Sequence, residues 1–315
     1  MKQELRAAIE CGYDIRLQNI SPAPRGQVAD ETYVLQDEKG RQYFCKITQR
    51  PDFIRIIRPT LPLLREMKEK GISRIAAPAP AKDGLSVEAE GALIVLFDFI
   101  PAIQGYDYDL NTFGRMLGEL HALTPKLVAK LPVTGFSSFR EKFLTEELPR
   151  LMTMQTNDAA ILSLQETLRR YAEETRAFVD AFFRLAKICS EKPFTFVNTH
   201  GDVVGNVLVR SPQDLYLIDW DEMELGPAER DLWSLGEKPE FMAGYKAARP
   251  EFTPDPDAIK HAWLKNYLEG IPIYLSPILD DRNDMDARLK QVKKLEDKRL
   301  NGWMKPKLKE IISVI

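Results

Sequence analysis

In the stretch "THGDVVGNVLVRSPQDLYLIDWDEMELGP", from Thr199 to Pro227, Asp202 stands just past His200, Asn206 follows four positions later, and Asp219 closes an apolar run. Phosphoryl transfer from a nucleotide needs residues of these types: a carboxylate to orient the attacking hydroxyl, oxygen ligands for magnesium, and a cation on the phosphates. Asp202 precedes a strand-like run, so its carboxylate can face a cleft. Asn206 and Asp219 flank a hairpin, whose antiparallel return brings its two ends together. An amide oxygen and a carboxylate are hard oxygen donors of the kind magnesium prefers. A cation is available in Lys46, within the otherwise apolar run "YFCKIT", and charged residues are rarely buried unless paired. Each residue alone also has a plain reading. Asp202 and Asn206 suit turns, Asp219 can end a strand, and Lys46 can protect a sheet edge from aggregation. It is their joint occurrence that points to chemistry.

The elements that would position them follow from pattern. "TYVLQ" and "RQYFCKIT" read as strands joined by the turn "DEKG", and "LSVEA" with "ALIVLFDF" reads as a second hairpin about Glu90-Gly91. Between them a helix is expected from about Thr60, as N-cap, to Lys70, with Gly71 as its stop. After "DFIPAIQG" the character changes. Leu110, Phe113, Leu117, Leu120 and Leu123 have helical spacing, and residues 140–191 read almost wholly as helix, with "LQETLRRYAEETRAFVDAFFRLAKI" the clearest stretch. "VLVR" and "LYLID" form a hairpin about "SPQD", and helices follow to the end. The expected division is a mixed lobe at residues 1–97 and a mainly helical lobe at 98–315.

Composition narrows the classes. With 315 residues, 44% hydrophobic and 29% charged, the chain has ample material for a core. A net charge of −3 with no basic block argues against nucleic acid. The most apolar window, Ala92 to Phe97, is far too short to span a bilayer. "MKQELRAAIE" lacks the apolar core of a signal peptide, and three scattered cysteines suit neither a disulfide framework nor a zinc cluster. A reduced, cytoplasmic setting is expected.

"YFCKIT", "FGRMLGELHAL", "THGDVVGNVLV" and "LYLIDWDEMELGPAERDLW", in this order, resemble the aminoglycoside phosphotransferase and choline kinase superfamily, a branch of the protein-kinase-like fold. Within it the resemblance is nearest to spectinomycin-type phosphotransferases and covers about Arg25 to Tyr245. The resemblance implies an α+β, two-lobed protein-kinase-like fold, with a small antiparallel-sheet lobe and a large helical one. It implies ATP or GTP with Mg2+ as cofactors. Asp202 resembles the family's catalytic base, Asn206 and Asp219 its magnesium ligands, and Lys46 the lysine on the α/β-phosphates. Phe97 to Ile100 match the hinge that binds adenine through its backbone, with Phe97 and Phe99 as the contact positions. "PAPRGQVADET" matches the phosphate loop. His200 is read as shaping the catalytic loop, and His121 and Asp231 as structural.

The chain departs from the family pattern in three places. The phosphate loop holds only Gly26. The acidic partner of Lys46 is not evident: Glu66 is a candidate, but its spacing also suits an i,i+4 pair with Lys70. Asp202 and Asn206 are four apart, where the family places them five apart. Asn206 is therefore expected to face the cleft across a tightened "DVVG" turn re-aimed by Gly205, and to hold magnesium weakly or through water. The implied partner is a small-molecule hydroxyl acceptor. Asp219, Asp221, Glu222 and Glu224 favour one bearing amines, an aminoglycoside or aminocyclitol; Glu222 and Glu224 read more readily as a solvated turn. The alternatives are a kinase for a choline-like or amino-alcohol metabolite and a non-catalytic nucleotide-binding relative.

Overall fold

The computed structural model describes residues 1–23, 31–129, 131, 133, 135–137 and 140–315; residues 24–30, the body of the segment matched to the phosphate loop, lie outside them. Helix α1 (Gln3–Tyr13) and strand β1 (Leu17–Pro22), neither read from the sequence, precede the expected hairpin of β2 (Glu31–Asp37) and β3 (Gln42–Thr48). The hairpin pairs antiparallel from Glu31 opposite Ile47 to Gln36 opposite Gln42. Asp37 closes its turn by accepting the amides of Lys39 at 3.0 Å and Arg41 at 2.8 Å, the local bonding that makes Asp a turn former.

Helix α2 (Pro51–Glu69) begins well before the expected Thr60 and runs through Pro59 and Pro62. Thr60 is no N-cap: it is buried, and its hydroxyl donates back to the Ile57 carbonyl at 2.8 Å. The stop is where it was expected, because Ile72 N–H reaches Met67 O and Gly71 N–H reaches Lys68 O, the paired bonds of a Schellman end. Strands β4 (Val87–Ala89) and β5 (Ala92–Asp98) turn about Glu90 and Gly91, with φ of 52° and 71°. Two positive φ values in a two-residue loop match the right-handed twist of the strands.

The five strands are ordered β1-β2-β3-β5-β4. Side chains alternate across β3. Tyr43, Cys45 and Ile47 join Leu5, Ile9 and Tyr13 of α1 in one core, which leaves Lys46 on the other face. Since β3 is central, Lys46 is not an edge-strand lysine.

The chain forms two compact units. One comprises Met1–Val133, Val197–Leu225 and Glu237–Phe252, the other Thr134–Phe196, Gly226–Gly236 and Thr253–Ile315. In the first, beyond the sheet, come β6 (Ile103–Gln104), α3 (Leu110–Leu123), β7 (Val197–Thr199), β8 (Val207–Ser211), β9 (Asp214–Leu217), all but the last residue of β10 (Glu224–Gly226), and α4 (Pro239–Ala248). Asp109 caps α3 by accepting the Thr112 amide at 2.6 Å. Helices α3 and α4 meet at glycine: a Cβ on Gly244 would stand 1.9 Å from Asn111 O, and one on Gly114 2.0 Å from Phe241 O. His121 of α3 and Tyr245 of α4 share a hydrogen bond of 2.7 Å. The second unit is helical. Its expected long helix is two, Ala159–Arg170 and Ala172–Ser190, parted at Tyr171, where φ is −108° and ψ 10°. A two-lobed kinase-like α+β fold, with an antiparallel sheet and a mainly helical remainder, is thus what this sequence forms. Among the described residues no helix is long and apolar enough to cross a membrane.

Candidate active site

The expected hairpin is present: β8 pairs β9 from Val207 opposite Leu217. Just past it Ile218 N–H donates to Asn206 O at 3.1 Å, so Asn206 lies beside the segment carrying Asp219. Asp219 is left-handed, at φ 64° and ψ 63°. A non-glycine residue persists there only where its surroundings hold it, most often at functional sites. The holding contacts are local. Trp220 Nε1 donates to Leu217 O at 3.2 Å, and His200 Nε2 lies 2.9 Å from Ile218 O. His200 Nδ1 accepts the Asp202 amide at 3.2 Å, which leaves the proton on Nε2 to be donated to Ile218. The buried ring therefore ties the Asp202 loop to the Asp219 segment.

Across the four-residue spacing the chain tightens. Gly205 takes φ 92°, a conformation that favours glycine. Asn206, half-buried rather than turned into the core, donates Nδ2 to Asp202 O at 2.7 Å and to Asp202 Oδ2 at 2.9 Å. These bonds occupy the amide nitrogen and leave Asn206 Oδ1, the atom with which an asparagine meets a cation, without a hydrogen-bond partner among the described residues.

Lys46 reaches the same segment from β3. Its ammonium contacts Asp219 Oδ1 and, at 2.8 Å, Asp221 Oδ2. The Lys46 side chain is 14% exposed, that of Asp221 7% and that of Asp219 35%, so the inner pair is Lys46 with Asp221. Burial disfavours the lysine's charge, but the two carboxylates outweigh it and push its pKa up to about 12. Burial of Asp221, opposed by Lys46 and reinforced by the charge of Asp219, pushes it up to about 6. Asp219, though burial works against its ionisation, is held below the usual carboxylate range by Lys46.

Two sequence expectations are corrected here. Glu66 does not pair with Lys46. Its carboxylate accepts the Val128 and Ala129 amides at 2.7 and 2.9 Å, with Lys70 at 3.7 Å; a bare loop that needs amide acceptors outcompetes a distant lysine. Glu224 is buried within β10 rather than solvated, because the chain re-enters a sheet there. Asp221, the lysine's second partner, was read only as part of an acidic cluster. The signal for it was its place two residues past Asp219 in the same short acidic segment.

At the expected hinge, Phe97 is buried at the end of β5, opposite Phe44 and bridged to Pro78. Phe99 is half-buried just beyond the strand. Between them Asp98 pairs with Lys68 and, at 3.3 Å, with Arg41.

Magnesium keeps several waters and needs only one or two protein ligands when phosphates supply the rest. The open Oδ1 of Asn206 and the carboxylate of Asp219 fit that demand. Among the described residues no group of three or more His, Cys, Asp or Glu is placed to hold a metal by itself.

A central-strand lysine, a loop aspartate, an asparagine and a second aspartate after a hairpin are thus carried by one kinase-like fold. The chain belongs to the phosphotransferase enzyme family, whose sequence pattern matches residues 19–267. Among solved structures it is similar to spectinomycin phosphotransferase APH(9)-Ia in complex with ADP and spectinomycin, at 20% identity and TM-score 0.74, covering 97% of this chain and 98% of that one. It is similar to a microcompartment-associated aminopropanol kinase (18%, TM-score 0.63, covering 98% and 97%). A third likeness is to amicoumacin kinase hAmiN with AMP-PNP and Ca2+ (17%, TM-score 0.58, covering 95% and 94%). A search of curated protein sequences found no match.

Proposed function

We propose that this protein transfers the γ-phosphate of ATP or GTP to a hydroxyl of a small amine-bearing molecule, an aminoglycoside or aminocyclitol. The observation that carries this reading is the meeting of Lys46, Asp219 and Asp221 from distant parts of the chain, beside an Asn206 whose amide oxygen is open. Residues 1–97 are the nucleotide-binding lobe in this reading and 98–315 the catalytic and substrate-binding lobe. Asp202 accepts the proton of the acceptor hydroxyl, whose oxygen attacks the γ-phosphorus as the bond to the β-phosphate oxygen breaks. Asn206 keeps the Asp202 carboxylate aimed through its bond to Oδ2. Lys46 holds the α/β-phosphates as a point charge. The backbone about Phe97 and Phe99 meets the base. Asn206 and Asp219 would hold magnesium, which supplies charge neutralisation on the phosphates.

The amine-bearing acceptor is supported by the likeness to a spectinomycin phosphotransferase. The likeness to an aminopropanol kinase favours a second reading, an amino-alcohol acceptor. Three free cysteines accord with a reduced, cytoplasmic setting. ATP and GTP turnover against a panel of aminocyclitols, aminoglycosides, choline and amino alcohols tests the proposal. Transfer to an aminocyclitol or aminoglycoside is expected, transfer to amino alcohols alone selects the second reading, and no nucleotide binding overturns both.

A further inference from the structure

We infer that Asp221 is the positioning residue of the nucleotide lysine in this protein, taking the place of a carboxylate on α2. This rests on the reading of Lys46 as the cation on the phosphates. Three observations carry it. Among the described residues Lys46 has two carboxylate partners, and both lie on the 219–221 segment. Of the two, Asp221 is the more buried and Asp219 the more open. On α2, Glu66, the candidate partner, has its two oxygens engaged by the Val128 and Ala129 amides.

The two carboxylates have different fates when magnesium and nucleotide arrive. Asp219 cannot give Oδ1 fully to an ammonium and to a metal, and as the exposed partner it is the one released. Lys46 would then swing free unless a second, buried carboxylate kept it in place. A charge-assisted hydrogen bond within a low-dielectric site is strong enough to fix a flexible side chain. Asp221 at 2.8 Å supplies it. The lysine's partner is then carried by the segment that carries the metal ligand, so metal and lysine are set by one piece of backbone and α2 is left outside the arrangement.

The test is a double-mutant cycle read by calorimetric titration of ADP with magnesium, a measurement that needs no acceptor and no turnover. Asp221→Asn keeps shape and removes charge. Loss of affinity on the order of tenfold is expected, as for removal of a buried charged partner. Lys46→Met should lose at least as much, and the double variant should bind within about twofold of Lys46→Met, because Asp221 acts only through Lys46. Glu66→Gln should bind as the unaltered protein does. Losses that add across the cycle, or a Glu66→Gln variant as weak as Lys46→Met, would overturn the assignment; the second criterion holds even if Asp221→Asn does not fold. Unaltered protein that binds no ADP, or Lys46→Met that binds it normally, would overturn the proposed function and this assignment together. Normal binding with additive losses would remove this assignment alone.

Discussion

Replacing Gly205 by alanine tests how the shortened Asp202–Asn206 spacing is accommodated. Gly205 sits at φ 92°, and a left-handed backbone costs a residue with a Cβ about 1–2 kcal/mol. Alanine also stiffens the unfolded chain, which offsets roughly 0.4–1 kcal/mol, so the net loss should be about 1 kcal/mol. The new Cβ would lie 3.1 Å from Tyr106 Oη. Tyr106 is 72% exposed and can rotate aside, so the contact adds little. Gly205→Asn should recover part of the loss, since asparagine tolerates this region. Urea denaturation measures the stability, and a magnesium titration of phosphate transfer measures how far Asn206 has moved. If Gly205→Ala were as stable as the unaltered protein, or if Tyr106→Ala abolished its cost, backbone strain would not be what the turn contains.

Asn206→Ala removes both bonds to Asp202, so transfer should slow about tenfold; the magnesium requirement is expected to be high in the unaltered protein and to rise only moderately in the variant, which a magnesium titration reads. Gly244→Ala places a Cβ 1.9 Å from a backbone oxygen of α3 and should destabilise by about 1–3 kcal/mol in urea. His261 is depressed to about 3 by burial and then by Lys265, against a backbone bond to Phe136. It stays neutral in the fold while the unfolded chain binds a proton below about 6.5, so its contribution is present above that pH and is lost as pH falls toward 3. The slope is up to about 1.4 kcal/mol per pH unit. His261→Phe, stacked on Phe182 as the imidazole is, should therefore flatten the stability profile between pH 6.5 and 4, compared by denaturation at each pH.

Much of this was legible because local chemistry and tertiary demand agree. Asp37 and Gly40 mark one turn, Glu90-Gly91 another, and the leucine spacing marks α3 as a helix. The acidic and amide residues about the β8–β9 hairpin were legible because a hairpin is a local device that joins its own ends. What was missed depended on distant packing. Helix α1 is held against the sheet by its three buried residues, Leu5, Ile9 and Tyr13, a contact that its own sequence does not announce. Thr60 suggested an N-cap, yet burial of Ile57, Leu61, Leu63 and Leu64 carries α2 through that position and through Pro59 and Pro62. The partner of Lys46 was out of reach since i,i+4 spacing accounts for Glu66 with Lys70, and only the fold reveals the loop amides that claim its carboxylate.

The most direct test of the account is the rate of γ-phosphate transfer by Asp202→Asn, taken with its affinity for ADP. The variant keeps the bond geometry about His200 and Asn206 and removes only the group that accepts the hydroxyl proton. Transfer should fall on the order of a hundredfold or more, with ADP affinity within about twofold of the unaltered protein. An unchanged transfer rate would contradict the account, and would require a base other than Asp202.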